Sequence, residues 1–130
     1  MKDWINIPKD IKNYQGFVYV IYNSETKKYY IGKKFFWSKR TRPPLKGKKN
    51  KRHYVIESDW RTYWGSCNNL LNDIKLLGED KFTRHILNCY RNKWDCAYYE
   101  LKAQLKYNVL FDELSYNEIV NVRLRRRKVI

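Results

Sequence analysis

A glutamate on a predicted helix and two tyrosines on a predicted hairpin are the candidate catalytic side chains of this sequence. Glu100 lies about 100° around the helix axis from the apolar position Leu101. Its neighbours one turn away include Ala97 and Ala103, and these small side chains leave room for a carboxylate to face a cleft. The alternative is a solvent-exposed glutamate on the flank of the helix, paired with Lys102. Glu100 is therefore a candidate, and the helix alone leaves both interpretations open.

Tyr19 and Tyr30 belong to two neighbouring segments rich in β-branched and aromatic residues, with turn-forming residues between them. The pattern predicts a β-hairpin. If Tyr22 and Lys27 close a four-residue loop, paired positions sum to 49 and Tyr19 lies opposite Tyr30. Both rings would then share one face, with Cβ atoms roughly 5 Å apart. A slip of one residue would send one ring to the other face.

Positive charge is concentrated in two parts of the chain, whose formal net charge is +15. Residues 33–52 contain ten basic residues and no acidic one, and residues 123–130 add five more. Such blocks attract a polyanion, and the aromatic residues among the first block suit contacts with bases. Nucleic acid is the predicted partner, ahead of an anionic membrane surface or a merely solvated basic loop. The expected contacts are to phosphates, from Lys33, Lys34, Lys39, Arg42, Lys46, Lys48, Lys49, Lys51, Arg52, Arg125 and Arg126.

The elements that must position these groups make one mixed α/β (α+β) domain over residues 1–130. Besides the hairpin, the sequence predicts a helix over 69–77 capped by Asn68 or Asn69, and a third strand over 82–90. A second helix begins after Asn92, and a short element covers 119–124. We expect a small central antiparallel sheet of about three strands flanked by helices. The apolar stripe of the second helix is Trp94, Ala97, Tyr98, Leu101 and Leu105.

Residues 39–53 contain two prolines and a glycine among lysines, so they cannot form a continuous helix. They are predicted to be a mobile, inserted basic loop, and residues 123–130 a basic tail. No helix-turn-helix or zinc finger is recognisable, so base-specific contacts are not expected.

Composition excludes several other classes. The hydrophobic fraction of 43% is too high for a disordered basic tail. No apolar run reaches the roughly 20 residues of a membrane span, and the first residues lack the apolar stretch of a signal peptide. Three cysteines without a C-x-x-C pair suggest neither a disulfide framework nor a zinc knuckle. An intracellular protein is expected.

Two short motifs resemble those that name the GIY-YIG endonucleases. Tyr30-Ile31-Gly32 matches the second motif fully, and Gly16-Phe17-Val18-Tyr19 keeps the tyrosine of the first, eleven residues earlier. The later order is also similar, with Arg40, a helix, a strand, a helix bearing Glu100, and Asn117 in a late Tyr-Asn element. The resemblance covers residues 16–121, and residues 30–37 and 59–66 are similar to small phage-borne members.

One departure from the family pattern concerns the arginine. In typical members it lies on a helix directly after the hairpin, whereas Pro43-Pro44 cuts such a helix short here. Arg61 is therefore a rival to Arg40, which is slightly favoured by its spacing from Tyr30.

The resemblance implies a role for each residue in the hydrolysis of a DNA phosphodiester. Glu100 would bind one divalent cation per active site, Mg²⁺ or Mn²⁺. Tyr19 would be the general base on the attacking water, although a free phenol has a pKa of about 10 and needs a cationic setting that nearby lysines could supply. Tyr30 would hydrogen-bond the water or the phosphate, assisted by Lys33, and Arg40 or Arg61 would offset the developing negative charge. Asn117 is a further candidate for contact with DNA.

The predicted function is therefore a metal-dependent endonuclease on duplex DNA, in the cytoplasm of a bacterial host if a phage encodes it. A nucleic-acid-binding protein on the same fold that no longer cleaves, or a basic structural protein of a ribosome or virion, would also explain the charge. Homing, restriction and host-DNA degradation are equally compatible roles. Target sequence and oligomeric state stay open, with a dimer on DNA or successive nicks as routes to cutting both strands.

Overall fold

The computed structural model describes residues 2–121 and 123–127. A central antiparallel sheet has the strand order β2-β1-β5, and β3 and β4 form a separate two-stranded sheet. This confirms the predicted α+β class with a three-stranded antiparallel sheet and two helices. In chain order the elements are β1 (Gly16–Asn23), β2 (Tyr29–Phe35), β3 (Trp37–Arg42), β4 (Arg52–Glu57), α1 (Asn68–Leu77), β5 (Phe82–Tyr90) and α2 (Lys93–Lys106).

The first hairpin is confirmed, but its predicted register is wrong. Tyr19 lies opposite Gly32, and Tyr30 lies opposite Ile21, so that paired positions sum to 51. The side-chain oxygen of Asn23 accepts hydrogen bonds from the backbone N–H groups of the next residues, at 3.0 Å from that of Glu25. The loop therefore begins after Asn23 rather than after Tyr22. Because paired positions move by an even number, both tyrosines keep the same face, with ring centroids 6.2 Å apart.

Both faces of β1 are covered by apolar side chains, since alternate residues of the strand belong to two different apolar clusters. The larger cluster contains Phe17, Tyr19 and Ile21 with Trp60 and the α1 residue Leu70. On the other face, a smaller cluster is formed by Val18, Ile31 and Val109. The tyrosine that could act as a catalyst is thus part of the main core rather than a surface side chain.

The predicted mobile loop over 39–53 is wrong at both ends, because β3 and β4 pair there with Arg40 opposite Tyr54. Within the segment predicted as a loop, only residues 43–51 lie outside strands. We call β3, β4 and the intervening turn the basic ribbon. Its base is attached to the body, where Trp37 Nε1 donates to the Tyr14 carbonyl at 2.8 Å and the Ser58 N–H donates to the Phe36 carbonyl at 2.8 Å. The prolines and lysines lie in the turn, so they do not prevent strand pairing on either side.

Helix α1 has the predicted extent, although neither asparagine is its cap. The N-cap is Cys67, and Gly78 at φ +91° ends the helix. In α2 the buried face differs from the predicted apolar stripe: Cys96 and Gln104 are buried, whereas Leu105 is 57% exposed. The edge strand satisfies the amide nitrogen on this face, because Gln104 Nε2 donates to the Ile31 carbonyl at 3.0 Å. Among the described residues, no group donates a hydrogen bond to Gln104 Oε1.

Arg84, which weakens the sequence pattern for β5, is buried in the strand. Its guanidinium stacks on Trp4 and Trp64, at 4.7 and 4.2 Å from the ring centroids. It also donates to the carbonyl oxygens of Lys2, Arg61 and Tyr63, the last at 2.7 Å. A charge is tolerated in the core because aromatic faces and carbonyls surround it.

The predicted short element over 119–124 is wrong in its described part, since residues 119–121, 123 and 124 form neither helix nor strand. Val122 and residues 128–130 lie outside the described residues. Among the described residues, no helix has the length and apolar character needed to cross a membrane.

Candidate active site

A cleft of about 350 Å³ brings together the two hairpin tyrosines and the helix glutamate. Because β2 is the edge strand of the sheet, side chains from β1 and α2 can meet around it. Lysine, serine and aromatic side chains complete the lining, and the whole set is Tyr19, Tyr30, Lys33, Lys34, Phe35, Trp37, Ser38, Ser58, Tyr63, Ser66 and Glu100. Of the predicted catalytic residues, the structure therefore unites Tyr19, Tyr30 and Glu100.

Tyr19 is 1% exposed, and its ring lies over the opposing glycine of β2. A Cβ at Gly32 would lie 2.6 Å from Tyr19 Oη, so any larger residue must displace the phenol. Tyr63 approaches Tyr19 edge-on with ring centroids 6.2 Å apart. The position of the Tyr19 hydroxyl is thus fixed by close packing.

The pKa of Tyr19 is raised well above that of a free phenol, chiefly by burial and then by the neighbouring Tyr63, Tyr30 and Glu100. This differs from the expectation that lysines would provide a cationic setting for its ionisation. Tyr19 is neutral in the free protein, because desolvation and nearby oxygens outweigh the surrounding positive charge.

Tyr30 is positioned by the turn that precedes α1. Burial raises the pKa of Tyr30, and the neighbouring Ser66 side chain opposes that shift. Gly65 adopts φ +88°, and a Cβ there would lie 3.5 Å from the Tyr30 ring and 3.6 Å from Tyr19 Oη. A glycine at this turn permits both the left-handed backbone conformation and the close approach of the tyrosines.

Glu100 is the only carboxylate among the described residues that line the cleft. Its Oε1 lies 3.2 Å from Lys33 Nζ, and its side chain is 13% exposed. Burial raises the pKa of Glu100, and the Lys33 ammonium opposes that shift. Lys33, predicted to assist catalysis or contact DNA, thus makes an ion pair with the candidate metal ligand in this structure.

Lys34 lies on the opposite side of the cleft, between an aspartate and an aromatic ring. Its Nζ is 2.6 Å from Asp59 Oδ1 and 4.1 Å from the centroid of Tyr63. The Lys34 ammonium lowers the pKa of Asp59. The cleft therefore carries two ammonium groups, each next to a carboxylate.

The two rival arginines occupy different places. Arg40 lines an adjoining cleft that shares Lys34, Ser38 and Ser58 with the main one. Arg61 lines neither of these two clefts; its Nε pairs with Glu57 at 3.5 Å and its guanidinium stacks on Trp60. Arg40 is thus the one of the two whose cleft adjoins the cleft of the tyrosines and Glu100.

Asn117 does not fit its predicted contact with DNA, because it is buried and its amide is fully engaged. Its Oδ1 accepts from the Ile31 N–H at 3.0 Å, and its Nδ2 donates to the Ile31 carbonyl at 2.8 Å. These bonds satisfy the free edge of β2 next to Gly32. Asn117 therefore stabilises the strand that carries the Tyr-Ile-Gly motif.

The other predicted DNA-binding cations lie in two regions. One region is the basic ribbon, on which these side chains are exposed: Lys39, Arg42, Lys46, Lys48, Lys49, Lys51 and Arg52. Arg125 and Arg126 lie beside α2, where Trp94 Nε1 donates to the Arg125 carbonyl at 2.9 Å and Arg127 pairs with Asp95 at 3.0 Å. The ribbon adjoins the cleft through Ser38 and Arg40, whereas Arg125 and Arg126 line neither cleft.

Tyr63 and Ser66 are two of the cleft residues that the sequence did not predict as individual candidates. Both lie in residues 59–66, a segment noted for its similarity to phage-borne proteins and for Arg61. The hydrogen bonds from Arg84 to the carbonyls of Arg61 and Tyr63 hold this segment in place. The glycine of Gly65-Ser66 is the one local signal, because it marks a sharp turn beside apolar residues.

Comparisons with curated proteins and with solved structures found no match. A family model with the description "Putative endonuclease segE, GIY-YIG domain" matches residues 3–120. The matched region contains the hairpin, the basic ribbon, the segment with Tyr63 and the helix with Glu100. Because the match covers nearly the whole chain, this protein belongs to the SegE-type GIY-YIG endonuclease family.

Proposed function

We propose that this chain is a metal-dependent DNA endonuclease that hydrolyses phosphodiester bonds in the cleft between the hairpin and α2. The observation that carries the proposal is the meeting of Tyr19, Tyr30 and Glu100, from β1, β2 and α2, in one open cleft. Family membership supports a nuclease acting on DNA. A purely structural role for these tyrosines would not require a carboxylate and two lysines beside their hydroxyl groups.

The donor set of the cleft fits a single hard cation. Among the described residues, no cluster of three or more His, Cys, Asp or Glu side chains is present, so a closed protein cage is not available there. Mg²⁺ usually keeps several waters and binds through one or two carboxylates together with substrate phosphates. Glu100 would hold such a cation, which when bound stabilises negative charge on the scissile phosphate and the leaving oxygen.

Tyr19 acts on the attacking water through its hydroxyl oxygen. Because its pKa is raised, the phenol is protonated before the reaction. Its oxygen can accept a hydrogen bond from the attacking water and orient that water toward the phosphate. To act as a general base, Tyr19 would first lose its own proton to solvent through the open cleft, and the phenolate would then take the proton of the attacking water.

The remaining groups bind the phosphate and balance its charge. Tyr30 can donate its hydroxyl proton to a phosphate oxygen, since its side chain lines the open cleft. Arg40 lies on the adjoining cleft and is the arginine we assign to the developing negative charge. Lys33 neutralises Glu100 in the free protein and becomes available to a phosphate when a cation replaces it.

The test is conversion of supercoiled plasmid to nicked or linear DNA, with Mg²⁺, with Mn²⁺ and with a chelator. Glu100→Gln keeps the size of the side chain but removes its charge, and Glu113→Gln at an exposed position is the matched control. We expect metal-dependent cutting by the wild type and by the control but not by Glu100→Gln. Binding of DNA by all three proteins without any cutting would contradict the proposal and favour a non-catalytic DNA-binding protein.

A further inference from the structure

The two faces of the basic ribbon differ in composition. Strand pairing puts Arg40 opposite Tyr54 and Arg42 opposite Arg52 on one face. The opposite face carries Lys39 and the apolar Val55. We call the first the arginine face, and its members are Ser38, Arg40, Arg42, Arg52, Tyr54 and Ile56.

The arginine face continues into the candidate active site. Ser38 lines the cleft of the catalytic tyrosines, and both Ser38 and Arg40 line the adjoining cleft. Moving outward along the same face, Arg42 is the next residue, and its guanidinium stacks on Tyr54 at 4.4 Å from the ring centroid. DNA bound with a phosphate in the cleft would therefore meet the arginine face beside the scissile bond.

The shape and chemistry of the ribbon match those of the DNA major groove. That groove is about 12 Å wide and admits a two-stranded β-ribbon, whereas the minor groove is only about 6 Å wide. The six residues of β3 span about 20 Å, enough to follow the groove past several base pairs. Arginine is the side chain that most often reads guanine there, through paired hydrogen bonds to O6 and N7. Stacking on Tyr54 restricts the Arg42 guanidinium before DNA is bound, which reduces the entropy lost on binding.

We propose that the basic ribbon enters the major groove of duplex DNA with its arginine face toward the bases, and that Arg42 and Arg52 determine base preference next to the cut site. This inference rests on the proposed function, since it takes DNA as the substrate of the adjoining cleft. It replaces the expectation of a loop that only binds phosphates, because paired strands hold their side chains in a fixed order along the groove.

The experiment measures binding rather than cleavage, with the Glu100→Gln protein and a fluorescent mixed-sequence duplex. Methyl green occupies the major groove and netropsin the minor groove, so each is added as a competitor. Arg42→Ala and Arg52→Ala are compared with Lys39→Ala, which removes one positive charge from the opposite face of the same ribbon. Arg42→Lys keeps the charge but loses the planar pair of donors.

We expect methyl green to displace the protein and netropsin to leave it bound. Arg42→Ala and Arg52→Ala should each weaken binding by about tenfold, and Lys39→Ala should weaken it less. Arg42→Lys should not restore the affinity. Displacement by netropsin alone, equal losses for both faces, full rescue by lysine, or no binding to duplex DNA would each overturn the inference.

The plasmid assay separates this inference from the proposed function. Metal-dependent cutting without any effect of methyl green would overturn only the placement of the ribbon. Displacement by methyl green in a protein that never cuts would overturn only the nuclease.

Discussion

In the cleft, Tyr19 is 1% exposed and packs against a glycine, a tyrosine and the main core. In the ribbon, Val55 is 60% exposed, and turn residue Gly47 has no atom within 4 Å of an added Cβ. The two regions adjoin each other through Ser38. Close packing suits a group that must hold a water within a fraction of an ångström, and an exposed cationic arm suits a partner that arrives from solution. The comparison supports the proposal that the cleft carries out the chemistry and the ribbon positions the DNA.

The largest expected effect comes from removing one hydroxyl group from the cleft. Tyr19→Phe should lower the cleavage rate by about 10²- to 10⁴-fold, because the attacking water loses its acceptor. Tyr54→Phe on the ribbon is the matched control, since the ring that stacks on Arg42 remains. Single-turnover cleavage with Mg²⁺ checks both variants. A Tyr19→Phe protein as active as the Tyr54→Phe protein would remove Tyr19 from the mechanism.

A pair of glycine substitutions tests how tightly each region is packed. Gly32→Ala should lower cleavage by about 10²-fold, because the new methyl group displaces the Tyr19 hydroxyl. Gly47→Ala, in the open turn of the ribbon, strains a residue at φ +83° but meets no neighbour, so cleavage should change little. Thermal unfolding of both variants identifies any loss that comes from misfolding. Equal loss of activity in two folded variants would contradict the contrast in packing.

The acid titration of Glu100 should reveal the burial of the cleft. Since desolvation raises its folded-state pKa, this carboxyl group should take up its proton at a higher pH than an ordinary glutamate in water. Activity that needs the carboxylate should therefore be lost as pH falls through that raised pKa. Lys33→Met should raise the pKa of Glu100 further, because it removes the ammonium group that opposes the shift in the wild-type protein. Carboxyl chemical shifts followed against pH in the metal-free protein measure both values, and a downward shift in Lys33→Met would contradict the ion pair.

The smallest expected effect concerns the turn of the ribbon. Lys48 and Lys49 are exposed there, and each should neutralise about one phosphate. The double variant Lys48→Ala/Lys49→Ala should lower the slope of log affinity against log salt by about two, without changing the cleavage rate at saturation. Binding titrations at several salt concentrations measure the slope. An unchanged slope would place the turn away from the DNA.

Local sequence patterns predicted the hairpin, α1, β5 and α2, because strand and helix periodicity depends on neighbouring residues. The register of the hairpin depended instead on hydrogen bonds that the Asn23 side-chain oxygen accepts from backbone N–H groups of its own turn. Similarly, the buried face of α2 was obscured by Gln104, a polar side chain whose partner is the backbone of β2. A hydrogen bond made by one polar side chain, whether within its own turn or to a distant strand, leaves no periodic signal in the sequence.

The candidate site was predictable only in part for the same reason. Tyr19, Tyr30 and Glu100 lie in patterned elements, so their order along the chain was informative. Tyr63 reaches the cleft from an irregular segment held by Arg84 of β5, a contact between distant parts of the chain. The ribbon was hidden by the composition of its turn, since prolines and lysines outnumber the residues that favour strands.

The separate roles of the cleft and the ribbon are tested by measuring two quantities for each variant: its affinity for DNA, and its single-turnover cleavage rate at saturating protein. Glu100→Gln represents the cleft, and Arg42→Ala/Arg52→Ala represents the ribbon. We predict that the cleft variant binds DNA like the wild type but does not cleave it, whereas the ribbon variant binds weakly and cleaves at nearly the wild-type rate once saturated. A ribbon variant that is bound yet inactive, or a cleft variant that fails to bind, would contradict the account.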